Sequence, residues 1–272
     1  MRKYYIYILT LLFLSSCEEK TDWELESIND NRIVVDGMIT NERTAHIVKL
    51  SKPVSEMNEA ASVVSGAVVS ISDGDTIYTL TETPDSSGIY ITDSSVIGVS
   101  GKQYKLTIVY NNKTDTATAE MLPVTPFTPL TYYLNTNDSL YRIGSINDVY
   151  DSEPSMWMVL MDWSNVPGYD SLDYSSNHAK LMAYTFSSID VNQIFAPSKE
   201  SIPFPEGTII IEKKFSLTEE HADFLRALVS ETNWRGGFFD VSAANLPTNL
   251  SEGAIGYFGA STVVVDTIVV SR

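Results

Sequence analysis

The side chain most clearly placed for chemistry is Cys17, the only thiol in the 272 residues. It follows a positive pair, Arg2 and Lys3, an apolar run from Tyr4 to Leu14, and two small residues, Ser15 and Ser16. A basic start, a short apolar centre and a small-residue end are the pattern of a cleaved export signal. The run is too short for a membrane span, which takes roughly 20 apolar residues. A thiol at the first position after such a signal is the nucleophile for lipid attachment, and two or more acyl chains hold a protein on a bilayer stably. With Cys17 so used, no disulfide, cysteine-based metal site or thiol nucleophile remains.

Other reactive constellations are missing from the sequence. There is no Gly-x-Ser-x-Gly elbow and no phosphate loop. His46, His178 and His221 are far apart, without zinc-ligand spacing. No catalytic residue, cofactor or metal site is therefore expected. Asp73-Gly74-Asp75 has oxygens for calcium, but a hairpin turn explains it more simply. Dispersed carboxylates leave glycan hydrolysis open, because paired acids in a cleft need no fixed spacing.

Two further groups of residues carry binding or modification readings. Tyr169 and Tyr174 lie in polar surroundings beside Asp170, Asp173 and Asn177, and are the candidates for an exposed ligand contact. Thr76, Thr116, Ser139, Ser171 and Thr267 each follow an Asp and precede an apolar residue. That pattern resembles a Bacteroidota O-glycosylation site, and it equally suits a turn-to-strand junction.

The elements that must carry these residues read as mainly β. Removing residues 1–16 leaves 256 residues, and the formal charge of −17 becomes −19 once Arg2 and Lys3 are lost. So acidic a chain lacks the basic face that nucleic acid would require. After an acidic tether, 17–31, residues 32–122 show around seven short strands separated by turn residues, as in an immunoglobulin-like or transthyretin-like β-sandwich. A hairpin is expected between 32–40 and 46–50, with an irregularity centred on Gly37, and another about Asp73-Gly74.

Pro123, Pro126 and Pro129 mark a boundary, and residues 123–272 read as a second β-rich domain. Met156–Trp163 is apolar on both faces, the signature of a buried strand. Ser216-Leu217-Thr218-Glu219 reads as a capping box opening a helix over about 217–230, with His221, Phe224, Leu225 and Leu228 on one face. His221 is accordingly a packing histidine. The run 262–270 is expected to return into the second sheet.

The late segment Gly253-Ala254-Ile255-Gly256-Tyr257-Phe258, with Val34-Val35-Asp36-Gly37-Met38-Ile39-Thr40 and Gly66-Ala67-Val68-Val69, resembles a Bacteroidota lipoprotein family known as domain of unknown function 4249. Leu14-Ser15-Ser16-Cys17 resembles the bacterial lipobox. Glu18 and Glu19 resemble the acidic signal that exports such lipoproteins to the cell surface. The family resemblance implies an outer-membrane lipoprotein with an N-terminal sandwich, often encoded near TonB-dependent receptors, and carries no catalytic residues. The expected role is a non-enzymatic accessory or substrate-binding partner of a TonB-dependent β-barrel, anchored by its lipid and facing outward. Adhesion or assembly through sandwich edges, and a glycan-active hydrolase, are the alternatives.

Overall fold

Strand-forming sequence alternates along the first ninety residues of the folded region because one side of each strand must leave water. The computed structural model describes residues 32–54, 59–84, 88–146, 153–186, 201–233 and 246–272. It is mainly β, with fourteen strands and two helices among the described residues. Residues 31–272 form one unit and residues 1–30 another.

The first sheet contains β1 (Ile33–Thr40), β2 (Ile47–Ser51), β3 (Val68–Ser72), β4 (Ile77–Glu82), β5 (Ile89–Ile91), β6 (Gln103–Tyr110), β7 (Lys113–Glu120) and β13 (Ala254–Ser261). Its strand order is β13-β1-β2-β5-β4-β3-β6-β7. Both expected hairpins form, β1 with β2 and β3 with β4. Asp73 Oδ1 accepts the Asp75 and Thr76 amides and so shapes the second turn. Ile39, Val48, Val69, Ile71, Leu106, Ile108 and their neighbours form one buried core.

The irregularity expected at Gly37 does not occur. The ladder runs evenly through it, Gly37 facing Val48 on one side and Phe258 on the other. The glycine is there for space: a Cβ would stand 2.9 Å from Val48 Cγ2.

β13 comes from the distant end of the chain, within the half that the sequence assigns to 123–272, yet it pairs with β1 in parallel over the whole length of both. At Gly256 the backbone has φ +98°, and a Cβ would lie 2.0 Å from the Val35 carbonyl oxygen. No other residue fits that approach. The segment before β13 then stitches the two ends of the sheet together. Leu250 bridges to Ala117, and Ser251 exchanges hydrogen bonds with the Thr116 backbone. The Asn249 amide donates to Thr118 and Phe258 carbonyls and accepts the Phe258 N–H.

The second sheet has the order β11-β10-β12-β14, formed by β10 (Ser155–Asp162), β11 (His178–Thr185), β12 (Ile209–Ser216) and β14 (Val263–Val269). The last strand returns to it as expected. Trp157, Val159, Met161 and Trp163 are buried, as the two-faced apolar pattern predicted. A small hairpin, β8 (Thr131–Asn135) with β9 (Leu140–Ser145), packs beside it.

The Pro-rich stretch 122–130 crosses the inner face of this sheet, held by polar side chains at alternate positions of β12. Leu130 N–H donates to Glu212 Oε2 at 2.8 Å, Lys214 Nζ donates to Thr125 Oγ1 at 2.9 Å, and Ser216 Oγ donates to the Leu122 carbonyl at 2.8 Å. Glu212 and Lys214 are fully buried, and Lys214 Nζ also sits 5.2 Å from the Trp157 ring centre.

Two helices complete the described fold, α1 (Tyr174–Asn177) and α2 (Glu219–Asn233). α2 begins later than the capping pattern predicted, because Ser216 still belongs to β12. Thr218 is the cap: its Oγ1 accepts the His221 N–H at 3.2 Å, and its carbonyl accepts the Ala222 N–H at 2.9 Å. His221 is a packing residue as expected, and what it packs against is β13. Its ring stacks on Tyr257 at 4.4 Å, in the space left by Gly259, whose Cβ would be 2.6 Å from His221 Cε1.

Candidate functional site

The loop between β10 and β11 carries both tyrosines singled out above. β10 ends and β11 begins on a cross-strand pair, Asp162 with His178, so the intervening chain rises from a fixed two-residue base. Successive tight turns follow, in which the Val166, Tyr169, Leu172 and Ser176 amides each bond a carbonyl three residues back. One buried side chain locks them: Asn177 Nδ2 donates to the Tyr169 and Leu172 carbonyls at 3.1 and 3.2 Å. Trp163 Nε1 donates to the Ser176 carbonyl at 3.2 Å. A side-chain amide with two carbonyl partners holds irregular backbone much as a ladder holds a strand.

This scaffold separates the two tyrosines. Tyr169 is half-buried and packs against the core around Trp163 and Leu130. Tyr174 is 76 % exposed, and its ring lies flat on the His178 imidazole, with centroids 3.9 Å apart and planes at 17°. The supporting imidazole is fixed at both nitrogens: Nδ1 lies 2.6 Å from Asn177 Oδ1, and Nε2 lies 3.3 Å from Asp162 Oδ1. The Ser164 hydroxyl and amide donate to Asp162 and, with His178, hold its carboxyl below the usual range.

Ser164, Asp162 and His178 together do not form a nucleophile–base pair. The serine proton goes to the carboxylate, and the imidazole faces that same carboxylate rather than the hydroxyl. What the group offers is an aromatic plate, preset by its support, beside a carboxylate. Such a plate suits stacking on a flat or ring-shaped ligand. Asp162 was not legible as a support of this stack, because only cross-strand register brings it to His178; His178 itself lies four residues after Tyr174, at the end of α1.

The remaining candidates are dispersed. Thr76 is exposed in the β3–β4 turn, Ser139 is exposed in the β8–β9 turn with φ +59°, Ser171 is exposed in the β10–β11 loop, and Thr267 is exposed in β14. Thr116 is half-buried in β7, and its neighbour Asp115 is buried against Lys113 Nζ at 2.9 Å. Cys17, Glu18 and Glu19 lie outside the described residues. Asp73 and Asp75 bracket Lys102, whose Nζ is 3.0 Å from each. Among the described residues no cluster of three or more His, Cys, Asp or Glu is placed to hold a metal.

His46 is structural. Its Nε2–H donates to the Val96 carbonyl at 3.2 Å while Nδ1 accepts the Thr40 N–H, and burial keeps the ring neutral by lowering its pKa. A shallow groove of about 460 Å³ opens on the first sheet between Val34, Ser51, Val63 and Ile89. The carboxylate on its wall, Asp36, faces Lys49 at 3.7 Å.

Fold and site together define a mainly β protein of several sheets that presents an exposed, supported aromatic ring on a loop. The chain belongs to the domain of unknown function family (DUF4249), whose model matches residues 18–267. No curated protein matches it.

Proposed function

We propose that this chain is an outer-membrane lipoprotein, anchored through Cys17 and facing outward, that acts by binding: it presents the Tyr174 plate to the substrate of a TonB-dependent β-barrel transporter. The observation that carries the reading is where the family match starts. It begins at residue 18, directly after the cysteine that closes the apolar segment, which supports Cys17 as the first residue of the processed chain. Glu18 and Glu19 then serve as the export label, and the acidic stretch to about residue 31 as a spacer. The Tyr174–His178 stack supports a binding role because it is exposed and held in place before any ligand arrives.

The test is recovery of the native protein from membranes with its partners. Lipid on Cys17 by intact-mass measurement, surface accessibility to added protease, and co-purification of a β-barrel receptor are expected. Cys17→Ser should abolish lipidation and release the chain from the membrane. Tyr174→Ala should leave the receptor bound and weaken capture of its substrate. A chain that carries no lipid, or repeatedly purifies without any β-barrel, overturns the proposal.

A further inference from the structure

The outer edge of β14 has a pattern of free groups that fits one partner in particular. In this strand the even-numbered residues point their backbone toward β12: Thr262 O accepts from Ser216, and Val270 bonds Gly207 and Thr208. The odd-numbered residues therefore point theirs outward. At Val263 both outward groups are already used, since the Asn41 side chain accepts its N–H at 2.7 Å and donates to its carbonyl at 3.3 Å. Beyond Val269 the chain turns inward through Val270, which is buried. A window of three residues remains, Val265, Thr267 and Val269, whose outward N–H and C=O have no partner among the described residues.

The same three residues hold the exposed side chains of the strand. Val265 is 45 % and Val269 60 % exposed, and Thr267 is exposed between them. No lysine or proline guards this rim, and the one charge of the strand, Asp266, lies on the inner face opposite Glu212. The other edges of the two larger sheets are protected: β11 carries exposed Lys180, and β7 and β13 are stitched by Asn249 and Ser251. Unguarded edges are where added strands pair.

Read outward, the window is Val-x-Thr-x-Val, the same in both directions about Thr267. We propose that β14 pairs with β14 of a second copy of this chain, antiparallel about a two-fold axis at Thr267. This register sets Val265 against Val269 of the partner chain and Thr267 against its own equivalent. All three are hydrogen-bonded positions, in which opposed residues exchange both N–H···O bonds, so the register uses every free backbone group in the window. Opposed β-branched side chains and paired threonine hydroxyls are favourable cross-strand neighbours. No like charges meet, and the two four-stranded sheets become one continuous sheet.

Sedimentation of the full chain across a concentration series tests this. A monomer–dimer equilibrium is expected, weakened at least about tenfold, or about 1.4 kcal/mol, by Thr267→Pro. That change removes an outward N–H and leaves the β12 ladder intact, so circular dichroism and melting should match the parent. A charge exchange covers the case in which the proline variant fails to fold. A chain with Val265→Lys and Val269→Lys, and one with Val265→Glu and Val269→Glu, should each be monomeric alone and dimerise when mixed. With Cys17 replaced by Ser, a short bis-maleimide should link Thr267→Cys copies and not Thr79→Cys copies.

A chain that stays monomeric at every concentration overturns the proposal. So does a dimer indifferent to the charge exchange, or a glycan found on Thr267 of the native protein. Pairing of this edge only with a different protein's strand has the same effect.

Discussion

The two sheet systems bury their inner faces by different means. The first sheet faces a core of aliphatic and aromatic residues, and its two ends are sewn together by the chain before β13. The second sheet turns Ile210, Glu212, Lys214 and Ser216 inward from a single strand, and three of these four are polar. The cause is what each face covers. Regular strands satisfy one another's backbone, so the first core needs only apolar volume. The stretch 122–130 has no ladder of its own, and β12 supplies side-chain partners to it at Leu122, Thr125 and Leu130. On β12, Glu212, Lys214 and Ser216 thus mark the irregular chain lying opposite them.

The comparison breaks most severely at the strand that completes the first sheet. Gly256→Ala drives a methyl group into the Val35 carbonyl and forces a positive-φ backbone on alanine. A loss above about 4 kcal/mol in denaturant unfolding, or failure to fold, is expected.

In the second sheet the most informative change is Glu212→Leu. It preserves burial and removes the acceptor for the Leu130 amide and the charge near Lys214; a cost of about 3 kcal/mol is expected. Ile71→Val in the first core should cost only about 1 kcal/mol. Equal losses at the two positions would mean that the polar residues are not what holds the crossover.

His221 tests the joint between α2 and β13 through pH. Burial lowers its imidazole pKa to about 4, against 6.5 for an ordinary histidine. Between those values the unfolded chain holds the proton and the folded chain does not. Stability is therefore full above about pH 6.5, falls as pH drops toward 4, and changes no further on this account below it, by about 3 kcal/mol in all. His221→Phe should remove that part of the acid dependence in melts taken between pH 4 and 7.

The smallest effect is expected at the helix start. Thr218→Ala should cost about 1 kcal/mol, and Ser216→Ala should act on the Leu122 anchor instead, leaving helicity unchanged. Helix loss in the Ser216 variant would return the cap to the position that the capping-box pattern indicated.

Much of the first sheet was legible because most of its strands pair with near neighbours in sequence. Asp73-Gly74 turns the β3–β4 hairpin, and Gln103–Tyr110 alternates as it is buried. Misreadings arose where a residue serves a partner remote in sequence. Gly37 resembled an irregularity in its strand, but it makes room for Val48. Ser216 resembled a cap, but its hydroxyl belongs to Leu122. Tyr169 and Tyr174 resembled a pair, and Asn177 fixes the loop so that one faces the core and the other solvent. Gly256 was visible as part of a signature without its cause, which is the close approach of its strand to β1, and Gly259 beyond it leaves the room that His221 fills.

By itself the sequence determined the mainly β character, the hairpins and the helix that follows β12. Each of these depends on residues that are neighbours along the chain, where alternation, turn propensity and helical periodicity act directly. Tertiary structure alone decided that β13 completes the first sheet, that Glu212 and Lys214 serve a crossover, that Asp162 meets the His178 beneath Tyr174, and that β14 keeps three residues of edge without a partner among the described residues. Parallel pairing and edge exposure depend on which strands meet in space, and the hydrogen-bonding backbone that makes those contacts is the same in every residue but proline.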